Sequence, residues 1–229
     1  MIELNGLSKH YQLSGDTLVK AVDNVNLTIK PGEFMMIVGR SGSGKTTLLS
    51  LIGGLTKPTS GTVNIDGVDI WGLNDATQSR FRAETIGFVF QIPSLLPTLS
   101  VLDNVKLPTM FSKEHDNVGE RALSLLDMVG LPEKAHAYPS QLSVGQQKRV
   151  ALARSLINEP DVVLADEPTS DLDKATELEI MTLIQKIHAD GSRTIMMVTH
   201  NLELAKYATQ VYMMTSGVLT REDEQVVIH

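Results

Sequence analysis

An eight-residue stretch, GRSGSGKT at residues 39–46, constrains the fold of this chain more than any other feature. It matches the phosphate-loop pattern GxxxxGK[ST], follows an apolar run at 34–38 that predicts a buried strand, and precedes a predicted helix at 47–52. In that order, glycines can turn backbone N–H groups towards a phosphate at the helix N-terminus. A glycine-rich turn with an incidental lysine would not need these flanking elements. The predicted phosphate-site residues are Gly39, Ser41, Gly42, Ser43, Gly44, Lys45, Thr46 and Thr47.

Lys45 and Thr46 end the pattern with the two side chains that a nucleoside triphosphate requires. A lysine at this position can reach the β and γ phosphates as a point charge. The hydroxyl of the next residue can ligate Mg²⁺, which bridges the same phosphates and accepts few protein ligands. The loop therefore predicts a nucleotide site that uses magnesium.

The composition narrows the choice of partners. A chain of 229 residues is long enough for one large domain or two small ones with a substantial core. The absence of cysteine excludes disulfides and thiolate metal sites, and the net charge of −7 argues against a broad nucleic-acid surface. The N-terminus has no leader pattern, and no apolar run is long enough to span a membrane. We therefore expect a soluble chain that meets a membrane only through a partner.

The first 35 residues predict an antiparallel β layer. Turn residues at 14–16 separate short strands at 2–4 and 25–29, and turn residues at 31–32 follow the second strand. Tyr11 is predicted to follow the first strand, where its ring could stack on an adenine. A half-buried tyrosine with its hydroxyl in water is an equally good interpretation of this residue.

The rest of the chain alternates predicted strands and helices. Mainly apolar segments at 86–90, 161–167 and 194–198 predict buried strands, and helical spacing at 102–131 and 174–188 lies between them. This pattern predicts an α/β fold, a P-loop NTPase core with a mostly parallel sheet, the antiparallel β subdomain and an inserted helical subdomain. We expect one domain over 1–229, with the insertion at about 91–158. A helix around 202–208 and a hairpin at 211–219 would complete the fold.

Four predicted strands end in residues with useful chemistry: Gly39, Gln91, Asp166 with Glu167, and His200. In open α/β sheets, ligands bind beyond the carboxyl ends of the strands. Asp166 suits a partner of Mg²⁺, and Glu167 could accept a proton from an attacking water. Gln91 could orient that water and contact Mg²⁺, and His200 could donate to the γ-phosphate. Helix caps and bonds to nearby backbone are the alternatives, but two buried carboxylates are unfavourable unless a cation or proton shares their site.

The sequence LSVGQ at 142–146 precedes another predicted helix. Ser143 is a good N-cap and could be only that. A serine hydroxyl, the Gly145 N–H and a helix N-terminus together also form an anion site, with no phosphate loop beside it in the sequence. Two half-sites on one chain indicate that two chains close around shared nucleotides.

This ordered set resembles the nucleotide-binding subunit of ATP-binding cassette (ABC) transporters. The resemblance rests on the phosphate loop, Gln91, LSVGQ, the strand ending in Asp166 and Glu167, the sequence SDLD at 170–173, and His200, and it covers nearly the whole chain. It implies an ATPase with the cofactors ATP and Mg²⁺. It also implies catalytic roles for Lys45, Gln91, Glu167 and His200, and magnesium contacts from Thr46, Gln91 and Asp166.

The same resemblance implies an ATP-dependent, head-to-tail homodimer. Ser143 and Gly145 of one copy would contact the γ-phosphate held by Lys45 of the other, and 170–173 would cross the interface. Tyr11 would be the residue that stacks on adenine. The implied nucleotide contacts are Tyr11, the phosphate loop, Ser143, Gly145 and Gln146.

Two residues depart from the usual family pattern. Val144 stands where the signature usually has glycine, and Arg40 stands where proline or another small residue is common. Val144 adds a Cβ near the phosphate, and Arg40 adds charge. Neither departure removes a catalytic group, so we expect an active ATPase.

Within the family, segments 86–97 and 104–108 are similar to the lipoprotein-releasing and macrolide-efflux branch, although amino-acid importers share much of this pattern. The resemblance implies a transmembrane permease whose short coupling helix docks on the apolar loop at 92–99. It also implies a cytoplasmic location, peripheral at the inner face of the membrane.

Two other functions remain open at this point. A soluble cassette ATPase acting on DNA or ribosomes usually has two cassettes or a long coiled coil, and this chain has one cassette and no sustained heptads. A regulatory module that binds nucleotide without hydrolysis would not need Glu167 and His200.

Overall fold

The computed structural model describes residues 1–12, 17–113, 116–189 and 191–222. The predicted turn at Ser14, Gly15 and Asp16 lies outside these residues. The strands are β1 Ile2–Gln12, β2 Leu18–Ile29, β3 Phe34–Val38, β4 Ser60–Ile65, β5 Val68–Asp69, β6 Ile86–Val89, β7 Val162–Asp166, β8 Thr194–Thr199, β9 Gln210–Thr215 and β10 Val218–Arg221. The α-helices are α1 Lys45–Ile52, α2 Asp75–Thr85, α3 Val101–Lys106, α4 Val118–Met128, α5 Val144–Ser155 and α6 Lys174–His188.

The chain divides into two compact units. The first unit comprises 1–78 with the residues from 194 onwards, and the second comprises 79–193. The predicted single domain with an insertion at about 91–158 stays a prediction.

An antiparallel sheet in the order β2-β1-β4-β5 belongs to the first unit. Ile2 pairs with Ile29 on one side and Ile65 on the other, and all three side chains are buried. β1 is longer than predicted and runs on through residue 12, so Tyr11 lies within the strand, opposite Val19, and not after it. Register shifts along β1 interrupt the alternation of apolar and polar residues. The strand predicted from that alternation was therefore too short.

β3 is the central strand of the parallel part of the first unit. It pairs in parallel with β8 on one side and β9 on the other, and β9 forms the predicted hairpin with β10. Every residue of β3 and β8 is buried, as expected for strands covered on both faces. The phosphate loop connects β3 directly to α1.

The second unit combines a parallel strand pair, β6 with β7, and a helical cluster. The cluster packs α3, α4 and α5 together through a buried apolar core that includes Val105, Leu126 and Val150. A Cβ on Gly87 of β6 would lie 2.3 Å from the Ser155 carbonyl oxygen. Glycine at this position therefore lets α5 lie against the strand at backbone contact.

Two segments differ from the sequence prediction. The polar stretch 69–84 overlaps α2, which buries no side chain and so has no apolar period to reveal it. The helix predicted around 202–208 is a six-residue 3₁₀ helix, Leu202–Tyr207, with the Asn201 side chain accepting a bond from Glu203 N at its start. Among the residues that the structure describes, no helix is both long and apolar enough to cross a membrane.

Candidate functional site

The phosphate loop adopts a conformation that only glycine can supply at two positions. Gly44 has φ 108°, and a Cβ there would lie 1.9 Å from the Ala21 carbonyl oxygen. A Cβ on Gly39 would lie 2.4 Å from the Met214 carbonyl oxygen. The loop is therefore held against neighbouring backbone on two sides, which presets its N–H groups in front of α1.

The Lys45 side chain extends back across the phosphate loop. Its side chain is 5% exposed, and Nζ donates to the carbonyl oxygens of Gly39 at 2.8 Å and Arg40 at 3.0 Å. These bonds hold the ammonium group across the loop, where a phosphate cradled by the N–H groups would meet it.

Ser43 supplies a test of whether the loop fits a phosphate. Its Oγ is buried and has no hydrogen-bond partner among the described residues. Buried hydroxyls normally have a partner, and an anionic oxygen in the loop would be one. Together with the preset N–H groups and Lys45, this hydroxyl fits a nucleotide phosphate.

His200 and the start of the phosphate loop lie at the same edge of the sheet. Val38 and Thr199 are paired in the register of β3 and β8, and Gly39 and His200 follow them directly. His200 is exposed, and the Thr199 hydroxyl accepts a bond from Asn201 N at 3.0 Å, which fixes the turn after the strand. The structure therefore brings these two predicted site residues together.

Tyr11 is accessible on β1. Its side chain is 39% exposed, and Lys9 Nζ lies 5.2 Å from the ring centroid. An accessible ring beside a cation is compatible with either the adenine interpretation or a surface tyrosine. The stacking role of Tyr11 stays a prediction.

Gln91 and Glu167 also follow neighbouring strands, at one sheet edge in the second unit. Val89 pairs with Ala165 in the register of β6 and β7, and Gln91 and Glu167 each lie two residues further on. Asp166 and Glu167 are 6% and 8% exposed, and Gln91 is exposed. Glu167 has φ 46°, a left-handed conformation that strains a side chain with a Cβ.

Ser143 caps α5 as predicted. Its Oγ accepts from Gln146 N at 3.2 Å, and Ser143 N donates to Gln146 Oε1 at 3.0 Å, which is a capping box. A Cβ on Gly145 would lie 2.6 Å from Thr176 Cγ2, so a larger residue here would have to displace the Thr176 side chain of α6. Val144 is 53% exposed, and its side chain therefore adds apolar surface at the helix N-terminus.

Two buried cations in α5 have partners that the sequence did not reveal. Arg154 is 9% exposed and donates to the carbonyl oxygens of Pro93 at 2.7 Å and Ser94 at 3.0 Å, so it holds the loop after Gln91. Burial lowers the pKa of the Arg154 guanidinium. Lys148 is 4% exposed and bonds to Ser170. No local pattern reports such contacts, because the partners are distant in sequence.

The site residues thus form two sets. The phosphate loop, Tyr11 and His200 belong to the first unit, and Gln91, Asp166, Glu167 and the LSVGQ segment belong to the second. The meeting of the two sets around one nucleotide stays a prediction.

Comparison with known proteins identifies the family. The chain matches the family described as ABC transporter over residues 22–170, more than half of its length. The uncharacterized ABC transporter ATP-binding protein MJ0796 of Methanocaldococcus jannaschii is 43% identical over 229 residues, covering 98% of this chain and 97% of that protein. The chain belongs to the ABC transporter family. Its predicted ATPase class, with ATP and Mg²⁺ as cofactors, is confirmed by this membership.

Solved structures confirm the fold of the cassette. A dimeric structure of MJ0796, described as a post-hydrolysis state bound to ADP and Pi, matches this cassette with a TM-score of 0.89 at 41% identity. That match covers 97% of this chain and 98% of the other. The predicted α/β P-loop NTPase fold is therefore correct.

A further relative indicates which branch of the family this chain resembles. The macrolide export ATP-binding/permease protein MacB of Hyphomonas neptunium is 43% identical over 218 residues, which cover 95% of this cassette and 34% of that protein. The cassette thus corresponds to about a third of MacB. This similarity supports the predicted resemblance to the lipoprotein-releasing and macrolide-efflux branch.

Proposed function

We propose that this cassette is the ATP-hydrolysing subunit of a transporter of the lipoprotein-release or efflux type, bound at the inner face of the membrane through a permease. Two copies would close head to tail around ATP, and hydrolysis would reopen them. The transported substance would contact the permease and not this chain. The observation that carries the proposal is a group of exposed apolar side chains on the segments 90–96 and 110–111.

We call five exposed side chains on two segments the apolar patch: Phe90, Ile92 and Leu96 on the first, and Met110 and Phe111 on the second. Ile92 is 74% exposed and Met110 is 75% exposed, values that are unusual for large apolar side chains. Two anchors near the end of α5 hold the two parts of the patch in place. Arg154 bonds to the backbone of 93–94, and Asn158 Nδ2 donates to the Pro108 carbonyl oxygen at 3.2 Å. A fixed apolar surface of this kind suits a short helix from a membrane protein.

The name of MacB, an ATP-binding/permease protein, supports a permease as the occupant, because a segment similar to this chain is joined to a permease there. If the patch receives that partner, its side chains should matter for complex formation and not for chemistry. We expect Met110→Ser to weaken co-purification with the permease about 10-fold. The ATPase rate of the isolated cassette should stay at the parental value.

Leu123→Ser provides the matched control, since Leu123 is an exposed leucine of α4 outside the patch. It should leave both co-purification and ATPase rate unchanged. Equal permease binding by the Met110→Ser variant and the parent would remove the patch as the docking surface.

The charge and position of each site residue suggest its role in ATP hydrolysis. Bound MgATP supplies the γ-phosphoryl group and the charge that develops during its transfer. Lys45 and the loop N–H groups would balance that charge, and Glu167 would take a proton from the attacking water. Thr46, Gln91 and Asp166 would hold the magnesium ion, and His200 would donate to the terminal phosphate.

Ser143 tests the shared site of the proposed dimer. Dimeric structures of MJ0796 support such a pair for this cassette. In a mixed dimer, Ser143→Ala in one copy should slow hydrolysis about 10-fold at the nucleotide held by Lys45 of the other copy. Site-resolved turnover can be measured by adding Lys45→Ala to one copy at a time.

Ser100→Ala separates this effect from helix capping. Ser100 is the N-cap of α3, and its side chain accepts from Asp103 N at 3.1 Å, so both variants lose a serine cap. The Ser100→Ala variant should keep parental turnover at both sites. A defect confined to the phosphate loop of the copy that carries Ser143→Ala would contradict shared sites.

Simple observations distinguish two alternative functions from the proposed one. An amino-acid importer would be encoded beside a solute-binding protein, and a release or efflux system beside a permease with a large extracytoplasmic domain. A cassette acting on DNA or ribosomes would retain nucleic acid in a pull-down. The net charge of −7 disfavours that last function.

A further inference from the structure

A buried lysine links the α5 helix to the segment that contains Glu167. Lys148 lies one turn after the capped N-terminus of α5, and its side chain is only 4% exposed. A lysine that loses its hydration needs fixed hydrogen-bond acceptors to remain charged. Lys148 Nζ has two of them, the Ser170 carbonyl oxygen at 2.8 Å and the Ser170 hydroxyl at 3.2 Å.

Ser170 closes the turn that begins at Glu167. Its N–H donates to the Glu167 carbonyl oxygen at 3.1 Å, so one residue joins Lys148 to the backbone of Glu167. Glu167 and Asp171 have φ 46° and 60°, and both are therefore held in the left-handed region. Such strained residues persist only where the surroundings hold them. The bonds from Lys148 fix Ser170, which lies between these two residues in the chain.

Charge supports the same link. Burial lowers the pKa of the Lys148 ammonium, and the negative charges of Asp171 and Glu167 act in the opposite direction. Both carboxylates therefore attract the ammonium group. Lys148 is thus attached by hydrogen bonds and by charge to the segment 167–171.

We propose that Lys148 is a positioning residue for hydrolysis, which holds the Glu167–Asp171 turn in register with the N-terminus of α5. The inference rests on the proposed function, in which Glu167 acts on the nucleotide of its own copy while Ser143 contacts that of the partner. Lys148 then connects the N-terminus of α5, which contacts the partner's nucleotide, rigidly to the turn that carries Glu167. Closure of α5 on the partner's phosphate therefore sets the position of Glu167.

The test is Lys148→Met, which keeps the length and the apolar stem and removes the three donors and the charge. We expect kcat to fall about 10- to 100-fold, because misplacement of a catalytic group by about 1 Å has effects of that size. KM and the affinity of the isolated cassette for ATP should change less than about 2-fold, since the phosphate loop is untouched. Lys186→Met, a change of the same kind on the exposed face of α6, should match the parent in every measurement.

A double-mutant cycle with Glu167→Gln distinguishes positioning from general weakening. If Lys148 acts through Glu167, Lys148→Met should slow hydrolysis little further in the Glu167→Gln background. Multiplicative losses in the double variant would overturn the inference. If Lys148→Met does not fold, as judged by thermal unfolding, Lys148→Gln decides instead, and a parental kcat in that variant overturns the inference.

The outcomes also distinguish a failure of this inference from a failure of the proposed function. Parental hydrolysis by Glu167→Gln would defeat the proposed base. An inactive Glu167→Gln variant together with a fully active Lys148→Met variant would defeat only the role of Lys148.

Discussion

Replacement of Glu167 by glutamine should reduce single-turnover ATP hydrolysis by about 10²- to 10⁴-fold, the range that a general base contributes. The change removes the proton acceptor and keeps the size of the side chain. Glu167 lies at the carboxyl end of β7, is 8% exposed, and follows the buried Asp166. Because ATP binding does not need this acceptor, the variant should bind ATP and accumulate the closed dimer, which size-exclusion chromatography with light scattering can detect.

Glu179→Gln is the matched control, because it makes the same chemical change on the exposed surface of α6. It should hydrolyse ATP at the parental rate and form no trapped dimer. Hydrolysis by Glu167→Gln at the parental rate would falsify the assignment of the base. Trapping without loss of hydrolysis would contradict the order of events, in which hydrolysis precedes opening.

Replacement of Lys45 by alanine should weaken ATP binding about 10- to 100-fold, the equivalent of about 1.5–3 kcal/mol for a hydrogen bond to a charged group. The ammonium is already placed by its bonds to the carbonyl oxygens of Gly39 and Arg40. Its contact with the phosphates therefore requires little ordering on binding. Titration with a fluorescent ATP analogue measures the loss.

The same two bonds mean that the loop itself loses a support in Lys45→Ala. Thermal unfolding of the free protein shows whether that loss extends beyond the loop. Lys186→Ala removes a lysine from the exposed face of α6 and should bind ATP as the parent does. Parental affinity in Lys45→Ala would refute the phosphate role and, with it, the central feature of the site.

Local patterns predicted those parts of the site that depend on neighbours in the chain. The phosphate loop has a fixed order of glycines, lysine and threonine between a strand and a helix, and the structure has that order. The Ser143 cap is equally local, since its partner Gln146 is three residues away. Strand ends at Gln91 and Glu167 were also predictable, because buried parallel strands appear as continuous apolar runs.

Other features escaped prediction for identifiable reasons. The length of β1 was missed because its register shifts break the period of two, and α2 was missed because it has no buried apolar face. Lys148 and Arg154 appeared in the sequence as ordinary polar positions of a helix. Only their burial, and partners in segments 170 and 93–94, give them a role.

The amino-acid sequence by itself determined the groups on which the proposed chemistry depends: a phosphate loop, a pair of carboxylates and the serine-capped helix start at 143–146, each defined by residues a few positions apart. Tertiary structure alone decided how these groups are supported. The lysine that holds the Glu167 turn, the anchors of the apolar patch and the close approach of Gly145 to α6 all join residues far apart in the chain. Such contacts depend on the folding of distant segments onto one another, and no local periodicity or motif encodes them.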